Sequence, residues 1–395
     1  MRRRSFLAAG GAAGLAATLS GLATAAPAVA DAAQAADDST PSDSLRALAA
    51  KIGLRVGTAV DPFDLNTPAY TAVLASQFSV VTPENEMKWQ VVEPTQGSFD
   101  WSGADRLVNF AEQNGQLVRG HTLLWHNQLP NWLTTGVSNG TISNTQLMDL
   151  LEAHIFTEVG RYKGRIWQWD VANEFFRDSN PSGINPNDFW VSHLGTSIIP
   201  QAFRWAREAD PVALLMYNDY NIAGEDGSNA KSDAVFAWLQ QMLDLGVPID
   251  GVGNQGHLDT QFGFPTKMQA DLERYASLGL KTAITEADVR TFVTDATTQT
   301  PTDKLAVFAQ PYEFDQMMKA AIAVPAVISF TVWGFSDDES WIPGFFTSPL
   351  EGYATLYDVN LNPKAAYFAL QQDLQLAAAG GPRHVRTPQP GLLTS

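Results

Sequence analysis

There is no cysteine among the 395 residues, so neither disulfides nor thiolate metal sites hold this chain together. A fold that owes nothing to disulfides can form in a reducing compartment. Basic residues are also scarce: 25 Lys and Arg face 42 Asp and Glu, a formal net charge of −17. Nucleic acid and anionic membrane surfaces are therefore poor partners, and a neutral polymer or small molecule fits better. Beyond the first 30 residues no apolar run reaches the roughly 20 residues that cross a bilayer, so no membrane partner is expected. His and acidic residues lack the short spacings of metal ligands, and no phosphate-cradling glycine loop follows a strand-like run. No metal and no cofactor are expected.

What is present suits one large core, with 45% apolar and 17% charged residues. A monomer is expected. Residues 1–30 have a basic head (Arg2-Arg3-Arg4), an Ala/Gly/Leu middle and a small-residue end (Ala28-Val29-Ala30). These are the three parts of an export signal of twin-arginine type, which predicts cleavage before Asp31 and a secreted, extracellular protein. Residues 31–42 read as a linker, 43–376 as a single domain, and 377–395 as a flexible tail.

Within 43–376, a helix pattern near 45–52 is followed by eight short apolar runs, at 55–59, 78–82, 117–122, 166–172, 213–217, 250–253, 282–285 and 326–332. Helical patterns at 102–114, 144–162, 187–208, 231–245, 266–278 and 302–321 separate them. Eight alternations of strand and helix predict an α/β fold of the (β/α)8 TIM-barrel type. The runs end on polar or aromatic groups, among them Glu84-Asn85, His121, Asn173-Glu174, Asn218-Asp219-Tyr220, Gln255 with His257, Glu286 with Asp288, and Trp333. In such a barrel the C-terminal strand ends converge on one face and carry the active site.

The run 166–174 organises the rest. It is rich in aromatic and β-branched residues and stops on Asn173-Glu174, a carboxyl at the mouth of an apolar strand and suited to proton donation. Its partner is Glu286, at the end of a second β-favouring run, with Asp288 two residues on and on the same strand face.

Six segments in order resemble glycoside hydrolase family ten, the retaining endo-β-1,4-xylanases, over about 45–374. They are Thr82-Pro83-Glu84-Asn85-Glu86-Met87-Lys88-Trp89, Arg119-Gly120-His121-Thr122-Leu123-Leu124-Trp125-His126, Trp169 to Glu174, Gly253-Asn254-Gln255-Gly256-His257, Ile284 to Val289, and Val332-Trp333-Gly334 leading to Ser340-Trp341. The resemblance implies that Glu174 is the acid/base and Glu286 the nucleophile, about 5 to 5.5 Å apart. It implies that His257 and Asp288 orient the nucleophile, that Asn173 bonds the sugar 2-hydroxyl, and that Gln255 lies close to the carboxylates. Glu84, Asn85, Lys88, His121 and Gln128 match a hydrogen-bonding wall for the glycone sugars. Trp125, Trp333 and Trp341 match aromatic walls there, and Tyr220 a platform on the leaving-group side. The implied substrates are xylan and xylo-oligosaccharides. Ala172, Ala287, Gln90 and Ile342 stand where Val, Leu, Asp and Arg are usual, and Ile342 puts contacts at the rim in doubt. Three other readings remain open: a metal-dependent hydrolase on the same barrel, a catalytically dead sugar-binding protein, and a β-1,4-glucanase.

Overall fold

The computed structural model describes residues 41–292, 301–347, 350–381 and 383. The export signal, all but the last two linker residues and most of the tail lie outside the described residues. Eight parallel strands close on themselves: β1 (Arg55–Val60), β2 (Val80–Pro83), β3 (Leu117–Leu124), β4 (Gln168–Asn173), β5 (Leu214–Asp219), β6 (Gly251–Asn254), β7 (Lys281–Phe292) and β8 (Val327–Val332). Closure is direct, since β8 pairs with β1 in the register Arg55↔Ser329 and Gly57↔Thr331. The strands come together closely at Gly57, where a Cβ would lie 2.9 Å from Val80 Cβ and 2.8 Å from Thr331 Oγ1. The (β/α)8 barrel expected from the alternating pattern is therefore the fold observed, with every strand falling on or beside its expected run.

Helices cover the outside, and their starts follow local chemistry. Ser44 caps Leu45–Lys51 by accepting from Ala47 N–H, and Ser143 with Gln146 forms a capping box before Asn144–Arg161. Their buried faces meet the outward side of the strands in one core that includes Trp169, Trp190, Phe203 and Phe330. Each such large side chain, fully buried, contributes roughly 1.5–3 kcal/mol. The helix expected over 187–208 is in fact two, Phe189–Leu194 and Ile198–Ala209, broken at Gly195 with φ 77°. The helix Pro68–Gln77 shows no helical period in the sequence, because its apolar residues are spread around the axis rather than along one stripe. The last helix, Ala365–Ala379, runs three residues past the start of the expected flexible tail.

One irregularity positions the site. β7 has 12 residues and outruns the barrel, pairing beyond it with the short strand His257–Asp259 (His257↔Asp288) and with Glu351–Gly352. The extension thus sets His257 beside Asp288, two residues past Glu286.

Candidate active site

At the C-terminal end of the strands a cleft of about 920 Å³ is lined by 13 of the 15 site residues named from the sequence: Glu84, Asn85, Lys88, His121, Trp125, Gln128, Glu174, Tyr220, Gln255, His257, Glu286, Trp333 and Trp341. The other two, Asn173 and Asp288, are fully buried behind it.

The same two residues hold both glutamates, each of them binding one glutamate by its carboxylate and the other by its backbone N–H. Asn218, on β5, accepts from Glu174 N–H through its carbonyl (3.0 Å) and donates from its side chain to Glu286 Oε1 (2.8 Å). Gln255 donates from its side chain to Glu174 Oε1 (2.8 Å) and accepts from Glu286 N–H through its carbonyl (2.8 Å). Any shift of one acid therefore pulls on the other. Asn218 also donates to Asn173 Oδ1 (2.8 Å) and accepts from Thr285 Oγ1 (2.7 Å), so its amide orientation is set from three sides.

Their surroundings differ. Glu174 Oε2 accepts from the indole N–H of Trp125 (2.8 Å), so its contacts are neutral donors. Glu286 instead faces cations: His257 Nε2 lies 3.4 Å from Oε2, and Arg119 Nη2 3.5 Å from Oε1. Burial pushes its pKa up, but the hydrogen bond from His257 and the fields of His121, Arg119 and His257 outweigh burial and hold it well below the usual carboxylate range. His257 is itself held charged. Burial lowers its pKa, yet Asp288, 3.0 Å from Nδ1, together with Glu286 pushes it up to about 10. Asp288 Oδ2 also accepts from Trp341 Nε1 (2.9 Å), so one carboxylate orients both the histidine and an aromatic wall of the cleft.

Toward β2, Asn85 Oδ1 accepts from both Lys88 Nζ and Gln128 Nε2, each at 3.1 Å. Lys88 Nζ stands 5.0 Å from the centre of the Trp125 ring and 5.9 Å from that of Trp333. Burial, with Asp61, Glu86 and Glu339 adding to it against Lys88, pushes Glu84 up to about 7. Near neutral pH its carboxyl can accept or donate a hydrogen bond, which suits a hydroxyl-bearing ligand. Ile342, the first residue of the short helix Ile342–Phe345, is buried and makes no rim.

Sequence reasoning missed three contributors. Arg119 and Asp170 form an ion pair inside the barrel, Arg119 donating also to Thr285 carbonyl (3.0 Å) and Asp170 facing His121 Nδ1 (2.8 Å). Opposite charges inside two buried strand runs were the available signal. Asn218 was noted only as part of a strand end. Among the described residues no group of three or more His, Asp and Glu side chains is arranged to hold a metal ion.

A model of glycosyl hydrolase family 10 matches residues 44–373. The chain belongs to that family. Among its curated relatives in the family, endo-1,4-beta-xylanase B of Thermotoga neapolitana is 38% identical over 83% of this chain and 90% of that protein. Endo-1,4-beta-xylanase A of Phanerodontia chrysosporium is also 38% identical, over 83% of this chain and 76% of that protein. Of solved family 10 structures, native xylanase 10B from Thermotoga maritima superposes with a TM-score of 0.78 at 38% identity, covering 85% of this chain and 99% of that one. Xylanase 10B from Thermotoga petrophila RKU-1 in complex with xylobiose gives 0.77 at 37% identity, covering 85% and 98%.

Proposed function

We propose that this family 10 glycoside hydrolase is an exported endo-1,4-β-xylanase that cleaves internal xylosidic bonds with retention, Glu286 attacking the anomeric carbon and Glu174 serving as acid and then base. The observation that carries the assignment of roles is the asymmetry of the two carboxylates. Glu286 is kept ionised by cations and oriented by Asn218, as a nucleophile requires. Glu174 faces the cleft among neutral donors, where it can give a proton to a leaving oxygen and later take one from water. The family resemblance assigns Asn173 a bond to the 2-hydroxyl that strengthens in the transition state; the residue is buried behind the pair with Oδ1 held by Asn218, so that bond would fall to its unpartnered Nδ2. Specificity for xylan over cellulose rests on Trp333 and Trp341, whose indoles would crowd the hydroxymethyl group that glucose carries and xylose lacks. The names of the relatives and the xylobiose held by one structural neighbour support the substrate.

Replacing the two acids tests the roles. Glu286→Ala should abolish turnover on every substrate. Glu174→Ala should lose roughly 100-fold or more on xylan but far less in the first step on activated aryl xylobiosides, which leave without a proton, and azide should restore turnover through a β-azide product. Equal losses on both substrate types without azide rescue would reverse or void the assignment. Export rests on the basic head and Ala28-Val29-Ala30, and predicts an exported protein whose amino terminus lies near Asp31. An exported protein that still begins at Met1 would exclude the cleaved signal.

A further inference from the structure

Lys231 stands at the start of the helix Ala230–Asp244 that follows β5, and its side chain is 1% exposed. An apolar side chain would fill the same space without the penalty of burying a charge, so the partners of this ammonium carry information. Nζ lies 2.9 Å from Asp219 Oδ1, 3.1 Å from Asp178 Oδ1 and 3.6 Å from the centre of the Tyr220 ring. Tyr220 lines the cleft, so the ammonium covers its ring from the protein side and holds it in one plane.

Asp219 passes the restraint on. Its Oδ1 also accepts from Tyr220 N–H (2.9 Å), and its Oδ2 accepts from the Tyr217 hydroxyl (2.5 Å). The Tyr217 oxygen in turn accepts from the N–H of Phe175 (3.2 Å), the residue after Glu174. Glu174 itself has φ 62°, a left-handed conformation that a non-glycine residue keeps only where its surroundings enforce it. The bond from Phe175 to Tyr217 and that from Glu174 N–H to Asn218 pin both sides of this turn to β5.

We propose that Lys231, acting through Asp219, is a positioning residue that ties the Tyr220 platform to the Glu174 turn, so that one buried charge sets both leaving-group binding and proton delivery. The inference rests on the reading that Glu174 protonates a sugar leaving group bound against Tyr220. It goes beyond that reading by making the two functions inseparable: loosening Lys231 should impair substrates that use both and spare those that use neither.

The test is the ratio of two activities. Lys231→Met keeps the volume and removes the charge. On xylotetraose, whose leaving group is a sugar that needs both stacking and a proton, kcat/KM should fall about tenfold or more. On an aryl xylobioside with an activated leaving group it should fall less than about threefold. Asp178→Asn alters the 39% exposed partner, which also bonds Tyr220 and Asn221, and leaves the core untouched, so it tests the platform end of the link if the lysine variant does not fold. It should show the same selectivity with a smaller loss. Equal losses on both substrates, or no loss on either, would overturn the inference. A wild type inactive on both substrates would overturn the functional reading and this inference together, whereas an active wild type with unselective variants overturns this inference alone.

Discussion

A single oxygen, Oδ2 of Asp288, faces His257 Nδ1 and accepts from Trp341 Nε1, and the consequences of that pairing run through His257 to Glu286. His257 has a folded pKa of about 10 against an ordinary 6.5. Because the folded value is the higher one, its pairing stabilises the fold fully below pH 6.5, and that contribution is lost as the pH climbs through about 10. Glu286 has the opposite sign. Its pKa is lowered, so its contribution is present above the ordinary 4.5 and disappears only as the pH falls through the lowered value. Between these limits the ion pair stays formed. His257→Gln keeps a donor near Glu286 but removes the cation. The acid limb of the kcat/KM profile on an aryl xylobioside should then move up by about one pH unit or more, the usual effect of an opposite charge at this range. Turnover should fall roughly tenfold or more as the nucleophile loses its orientation. An acid limb that stays in place would mean that other groups keep Glu286 ionised.

At the scale of strands, what the sequence made legible depended on whether the signal lay along one strand or across several. The eight runs showed because a buried parallel strand is apolar through its length, and their polar ends showed because the apolar pattern stops there. Glu174 and Glu286 were found in this way. Asn218 also stands at such an end, but its role does not show there, because it comes from neighbours on three other strands: Asn173 on β4, Gly253 on β6 and Glu286 on β7. A Cβ on Gly253 would sit 2.5 Å from Asn218 Oδ1, so the side-chain amide can lie between Asn173 and Glu286 only because β6 has glycine there. Likewise a Cβ on Gly120 would lie 2.2 Å from the Trp169 ring, a demand of packing that no pattern within β3 reveals. The ion pair of Arg119 with Asp170 is of the same kind, since it depends on β3 and β4 lying side by side in the register His121↔Asp170. Among the helices, the break at Gly195 was missed for a different reason: an apolar period continues through 187–208 and hides a single left-handed residue.

At the scale of the whole molecule the barrel divides its labour between two ends, chemistry at the C-terminal strand ends and closure at the other. Closure at that other end involves a residue of the expected flexible tail. The Arg383 guanidinium donates to five carbonyl oxygens: Ile52 (3.1 Å) and Gly53 (3.2 Å) after the first helix, Ala321 (2.9 Å) and Val324 (3.3 Å) at the end of Pro301–Ala323, and Val327 (2.9 Å) at the start of β8. Carbonyls at helix ends have no partner within the helix, and a cation there also meets the negative end of the dipole. Burial lowers the pKa of Arg383 to about 10, which still leaves it charged at neutral pH. Hydrogen bonds to a charged group contribute about 1.5–3 kcal/mol, so Arg383→Ala should destabilise the fold by that order and lower Tm by a few degrees. The cleft lies at the opposite end of the strands, and kcat and KM on xylo-oligosaccharides should therefore stay within about twofold of wild type at moderate temperature. Thermal unfolding and steady-state kinetics on the same preparation separate the two effects. An unchanged Tm would show that the first helix, the end of Pro301–Ala323 and β8 are held together without Arg383, and a loss of turnover at wild-type stability would mean that the two ends of the barrel are coupled.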